Sequence, residues 1–243
     1  MTPAGAAHIR RAAWGGIAGP VGFLVLSFLM AALRPEIIRA QGWASWPSSM
    51  ALGGPPVALV QIGAFLWLTL CYTVFALGAL RPLFGWTAAA IGYLVIAVGD
   101  GLLAFPTDGP GAGTSWHGTL HLAGVIVVTV ATLVAVAGVT IATRDRPWWK
   151  PWRMVAWIPF AATLVGMAAG FDHGWAKVTY VVGITAPGAV AGWLAHREPP
   201  RNVEPAAVCR ASASIGARSC RSPWRSSRRS GRSSASSTRR RAG

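Results

Sequence analysis

Apolar residues in this chain run on without the regular polar interruptions that a helix or strand facing water requires. Six stretches, at about residues 14–33, 57–80, 83–105, 117–143, 154–170 and 176–195, are dominated by Ala, Val, Leu, Ile, Gly and Trp and carry almost no charge. A run of ~17–25 apolar residues crosses the ~30 Å hydrocarbon layer of a bilayer as a helix. The 117–143 run is rich in Val, Ala and Thr, and β-branched residues favour strands in water. In lipid a lone strand leaves its backbone groups unsatisfied, so a helix is expected there too. The pattern predicts an all-α fold: a polytopic membrane bundle of six transmembrane helices over residues 1–196, then a disordered basic tail over 197–243.

The connections are where polar residues collect. Residues 34–56 hold Arg34, Glu36, Arg39, Trp43 and Trp46. The two tryptophans are expected as interfacial anchors, and residues 47–54 as a short re-entrant or interfacial piece. Arg81-Pro82 is expected to form a tight turn between the second and third spans. A Gly-rich loop at 106–116 separates the third span from the fourth, a basic Trp-rich loop at 144–153 follows the fourth, and a turn at 171–175 precedes the last. His8, Arg10 and Arg11 ahead of the first run resemble the charged start of a signal peptide. The run behind them is too long for one, so it is read as a signal-anchor helix.

Composition strengthens the membrane reading. Only 12% of the 243 residues are charged, against about 25% in a soluble domain, and the mean hydropathy is +0.46. The net charge of +15 is mostly a property of the tail, which carries +10 against +5 for residues 1–196. An Arg/Ser-rich tail with few large apolar residues buries no core. It is expected to be solvated and to touch anionic lipid headgroups; no specific nucleic-acid partner is expected, since interleaved aromatics are lacking. Cys71, Cys209 and Cys220 form no C-x-x-C pair, so neither a zinc ribbon nor a disulfide framework is indicated.

Six alternating spans place Arg10, Arg11, Arg81, Arg144, Arg146, Lys150, Arg153, Arg197 and Arg201 on one side and only Arg34, Arg39 and Lys177 on the other. The positive-inside rule then puts both termini in the cytoplasm of a bacterial inner membrane. The 106–116 loop faces outward in that arrangement.

Candidate chemistry gathers on that outer side. His117 and His121 are spaced i, i+4, which stacks two imidazoles on one helix face, the spacing by which a helix offers them to one metal. Asp108 precedes them in Pro-Thr-Asp-Gly, which is also a good turn sequence. Asp172 and His173 fall at the same level. Asp108, His117 and His121 are therefore the candidate catalytic residues, and the same three with His173 are candidate ligands for a divalent metal such as zinc. Asp100 ends an apolar run, where an ionisable group is costly and needs a partner such as a histidine or Lys177. Ser48 or Ser49 would act as a nucleophile only if a histidine approached it. No G-x-S-x-G elbow exists, so helix capping is expected of them. Ser48, Asp100 and Lys177 are candidate substrate contacts. No P-loop or dinucleotide fingerprint occurs, so no nucleotide is expected. One outer histidine pair such as His121 and His173 makes haem unexpected as well.

These residues carry a resemblance. Ala-Phe-Pro-Thr-Asp at 104–108, followed by His-Gly-Thr-Leu-His at 117–121, resembles the F-P-x-D and H-x-x-x-H signature of the domain of unknown function 998 family. Gly15–Pro20, Ser48–Gly53 and Gly174–Thr179 are similar to three further family segments, with Lys177 where the family usually has arginine. The resemblance covers about residues 12–196. It implies a six-helix bacterial or archaeal membrane protein with Ser48, Phe105, Pro106, Asp108, His117, His121 and Lys177 as motif residues, and it implies no activity. From the residues, the leading expectation is a polar outer site that binds or acts on a lipid-like molecule. Its enzymatic form is a metal-assisted or acid/base hydrolase of an ester or amide. A structural or sensor membrane protein and a small transporter are the alternatives.

Overall fold

The computed structural model describes residues 2–43, 46–109, 113–169 and 174–198, and every regular element among them is helical. Asp172, His173 and the tail beyond Glu198 lie outside the described residues, so the expectations placed on them are not addressed by it.

Helix α1 (Pro3–Leu33) starts well before the apolar run, because Thr2 caps it: its side-chain oxygen accepts the Gly5 N–H at 3.2 Å, and Pro3 takes the first position, where no N–H is needed. A short α2 (Pro35–Gln41) and a single tight turn at Ser48–Leu52 lead to α3 (Val57–Phe75). Helix α3 continues through a widened turn at Ala76–Leu80 into α4 (Arg81–Phe84). Then come α5 (Ala88–Leu103), α6 (Trp116–Ala142), α7 (Lys150–Val155), α8 (Trp157–Ala168) and α9 (Gly174–Arg197). Among the described residues, four helical stretches are long and apolar enough to cross a membrane: Pro3–Leu33, Val57–Phe84, Trp116–Ala142 and Gly174–Arg197. The third and fifth expected spans are shorter helices, of 16 residues in α5 and 12 in α8.

Several boundaries differ from expectation for identifiable reasons. Arg81-Pro82 is no turn. The Arg81 N–H reaches back five residues to the Ala76 carbonyl, and this wider turn lets Pro82, which has no N–H to give, stay in the helix. The chain reverses instead at Gly85, whose φ of +75° suits glycine. Pro159 does not sit inside a continuous fifth span. It lies in the first turn of α8, and the helix breaks ahead of it at Ala156. Trp46 is not an interfacial anchor: it is fully buried, with its indole N–H pointing at the Ser27 carbonyl, 3.4 Å away. Residue 197 still belongs to α9, and Glu198 is held beyond it by Arg146 at 3.1 Å and by the Trp149 indole N–H.

The helices pack in the order α6, α5, α3, α1, α9, α8, with α6 also meeting α9. Many of their large apolar residues point outward. On α6, Leu122, Ile126, Val130 and Val134 form an exposed stripe, while Gly124, Ala131, Ala135 and Gly138 face α5. Large apolar groups outside and small ones at helix contacts are the arrangement lipid selects, since burying leucine gains nothing from hydrocarbon but close backbone packing does. The threonines of α6 return their hydroxyls to the carbonyl four residues back, as Thr129, Thr132 and Thr140 do at 2.7–2.8 Å. Such bonds make Thr compatible with a helix in lipid.

The bundle has two distinct ends. At one, His196 meets the Arg10 carbonyl at 3.1 Å and Arg146 meets the Leu83 carbonyl at 2.8 Å. At the other, the 46–52 segment, the end of α5 and the starts of α6 and α9 come together, and Trp43 packs on Gly174. The second end holds the candidate site.

Candidate functional site

The start of α6 divides the sequence-selected residues into two groups. Ser115 caps the helix, its hydroxyl oxygen accepting the Gly118 N–H at 3.0 Å. That hydroxyl donates to Asp108 Oδ1 at 2.6 Å, and the Ser115 N–H donates to Asp108 Oδ2 at 3.0 Å. The Asp108 carboxylate is so close to the helix that a Cβ on residue 118 would lie 1.8 Å from Oδ2, which only glycine avoids. An anion is favoured at a helix N-terminus. The hydrogen bonds from the Ser115 hydroxyl and then its N–H hold the Asp108 carboxyl below the usual carboxylate range. His117 Nδ1 lies 3.0 Å from the Pro106 carbonyl and 2.9 Å from Ser115 Oγ, with Asp108 Oδ1 3.8 Å away. Asp108, Ser115 and His117 thus lash residues 106–108 to the first turn of α6.

One turn further in, His121 does something else. It is nearly buried, with its ring edge-on to Phe65. Nδ1 is 2.8 Å from the Phe105 carbonyl and Nε2 is 2.8 Å from Ser48 Oγ. A carbonyl only accepts, so Nδ1 carries the proton, and in the neutral ring Nε2 presents its lone pair to the Ser48 O–H. Ser48 opens the tight turn that follows buried Trp46 and Pro47, next to buried Ser49 and Met50. A serine hydroxyl, an imidazole base and a fixed acceptor behind the imidazole form the arrangement that activates a serine nucleophile.

Ser48 opens onto a cavity between α1, α3, α5, α6 and α9, with about 40 Å³ of free volume. By the measure of ~10–15 Å³ per water, that is room for about three waters. Its walls are mostly apolar, among them Phe23, Leu68, Val128 and Val181, and its polar lining includes Asp100, Lys177, Tyr72 and Tyr180. Tyr180 shares a 2.6 Å hydrogen bond with Thr129, and the Lys177 ammonium stands 5.5 Å from the Tyr180 ring centroid. Tyr72 donates to the Thr185 carbonyl at 3.4 Å. Asp100 is 2% exposed, and no hydrogen-bond partner reaches its Oδ2 among the described residues.

The structure therefore brings Ser48, Asp100 and Lys177 to one cavity, sets His121 behind Ser48, and places Asp108 and His117 in a separate capping network beside it. The two histidines share a helix but not a task. His117 Nδ1 and both nitrogens of His121 are engaged in hydrogen bonds, and the described residues contain no group of three His, Cys, Asp or Glu able to hold a metal. His173 lies outside the described residues. The sequence makes Ser48 or Ser49 a nucleophile only if a histidine approaches it and favours helix capping; the structure supplies that histidine to Ser48 as His121, 73 residues away in sequence. Compared with protein-family models, with curated proteins and with solved structures, the chain finds no match in any of the three.

Proposed function

We propose that this is a six-span inner-membrane protein in which Ser48 and His121 hydrolyse an ester or amide of a membrane-partitioned molecule. The observation that carries the reading is the 2.8 Å approach of His121 Nε2 to Ser48 Oγ while the Phe105 carbonyl fixes the other nitrogen. In this reading Ser48 Oγ attacks the acyl carbon and its proton passes to His121 Nε2. The carbonyl C–O or C–N bond then breaks, the leaving group takes the proton from His121, and water releases the acyl group from Ser48 by the same steps. Lys177, lining the cavity with Ser48, supplies positive charge where the acyl oxygen becomes negative. Asp108 and His117 act as positioning residues, because the loop they tie down carries the Phe105 carbonyl that orients His121.

A serine-directed fluorophosphonate tests this. Wild-type protein in membranes is expected to be labelled at Ser48, and Ser48→Ala to be unlabelled. Labelling that persists in Ser48→Ala, or none in folded wild type, would overturn the reading.

For orientation, the end bearing Arg10, Arg81 and Arg146 is taken as cytoplasmic. The site end then faces outward, so Thr114→Cys is expected to react with a membrane-impermeant maleimide in intact cells; reaction only after lysis would reverse the topology. Within the same reading the chain is a distant relative of the domain of unknown function 998 family. Its support is that Ser48, Phe105, Pro106, Asp108, His117 and His121, which carry the resemblance, are linked by hydrogen bonds at one end of the bundle.

A further inference from the structure

We propose that a groove between α7 and α9, at the end of the bundle opposite Ser48, takes an acyl chain of an anionic phospholipid, with the lipid phosphate held by Lys150 and Arg197. The groove has about 370 Å³ of free volume and is lined by Pro151, Val155, Ala189, Val190, Trp193 and Leu194. Hydrocarbon is the filling that such walls favour. Any acyl chain meets that condition, so the charges beside the groove decide which lipid it selects.

Each wall carries a cation at the same end. Lys150 is exposed and immediately precedes Pro151, the first groove residue of α7. Arg197 closes α9, and its guanidinium lies 4.9 Å from the ring centroid of Trp193, itself part of the groove wall. The groove residues of α9 run from Leu194 back to Ala189. At 1.5 Å per residue they lie about 5–12 Å along the helix from Arg197. Phosphate first and hydrocarbon below it is the order of a phospholipid. The acids at this end do not compete for the cations: Asp145 is paired with Arg144 at 3.2 Å, and Glu198 with Arg146 at 3.1 Å. Exposed Trp148 and Trp193 supply the amphipathic rings that sit at headgroup depth. Basic groups beside a cleft between membrane helices select anionic headgroups, and a guanidinium offers a phosphate two N–H donors at once. A zwitterionic lipid gains less, because its own amine already balances its phosphate. None of this depends on the hydrolytic reading of Ser48.

The test is the thermal unfolding midpoint of full-length, detergent-purified protein titrated with dioleoylphosphatidylglycerol, dioleoylphosphatidylcholine or glycerol 1-phosphate. The phosphatidylglycerol is expected to raise the midpoint at a concentration about 10-fold or more below that needed of the phosphatidylcholine, and glycerol 1-phosphate to leave it unchanged. Two variants separate the groove from the Arg/Ser-rich tail, which also attracts anionic lipid. Ala189→Phe fills the groove and keeps both cations; Lys150→Gln combined with Arg197→Gln keeps the groove and removes them. Each is expected to weaken the phosphatidylglycerol effect by about 10-fold or more. Lys150 and Arg197 are exposed, so the double variant is expected to fold. Lipid-free midpoints check both variants, and if Ala189→Phe fails that check the double variant decides alone. Equal shifts by the two lipids, a shift by glycerol 1-phosphate as large as the lipid's, or an undiminished effect in either folded variant would overturn the proposal. A lipid-independent dimer that Ala189→Phe splits would give the groove to a second copy of the chain and overturn it too.

Discussion

Replacing His121 with glutamine is expected to slow fluorophosphonate acylation of Ser48 by about 10²–10⁴-fold, the usual contribution of a positioned general base. Glutamine reaches toward Ser48 and keeps a hydrogen bond, but it takes no proton from the hydroxyl. The same change at His117 is expected to cost far less. Its contacts are the Pro106 carbonyl and the Ser115 hydroxyl, and Ser115 still caps α6 and still binds Asp108 when His117 is gone. The measurement is the pseudo-first-order labelling rate of each variant at saturating base-line stability, checked by matched unfolding midpoints. Equal losses at the two positions would mean that the site works through the capping loop and not through His121 as base.

The contrast between those two histidines shows what could be read from the chain and what could not. Their i, i+4 spacing places both rings on one face of α6, and the helix is there. Spacing alone is silent on the neighbours at each height. Ser115, two residues before His117, captures that ring into the N-terminal cap, whereas His121, one turn deeper, meets an element from far away in sequence. Trp46 departs from expectation for a related reason: tryptophan between two spans is usually an interfacial anchor, but here Trp46, Pro47, Ser49 and Met50 are buried in a segment packed on α3 and α1. The helices themselves were legible because an uncharged apolar run has one solution in lipid. Their ends were not, where proline and glycine decide by position. Pro159 interrupts the fifth run by falling in a first turn, while Pro82 is carried within a helix by a wider turn before it.

Gly92→Val is expected to be the most damaging single change among the interhelical glycines of α5. A Cβ at 92 would lie 2.8–2.9 Å from the Cα, N and Cβ of Ala135, atoms that move only if α6 moves. The contact continues along both helices, with Gly99 against Val128 and Gly138 against the Ala89 nitrogen. Prising α5 from α6 at one point therefore lengthens every contact on that line. The loss is expected to be about 3 kcal/mol or more, at the upper end for overpacking. It also reaches the site, since α5 leads into the Phe105 carbonyl and α6 carries His121, which face each other at 2.8 Å. Gly63→Ala is the matched control: Gly63 lies on the exposed face of α3 with no atom within 4 Å of its Cβ position, and a change of less than about 1 kcal/mol is expected there. Denaturant unfolding of the purified variants reads the stability, and fluorophosphonate labelling reads the site. A Gly92→Val protein as stable as Gly63→Ala would mean that α5 and α6 are not held by backbone contact.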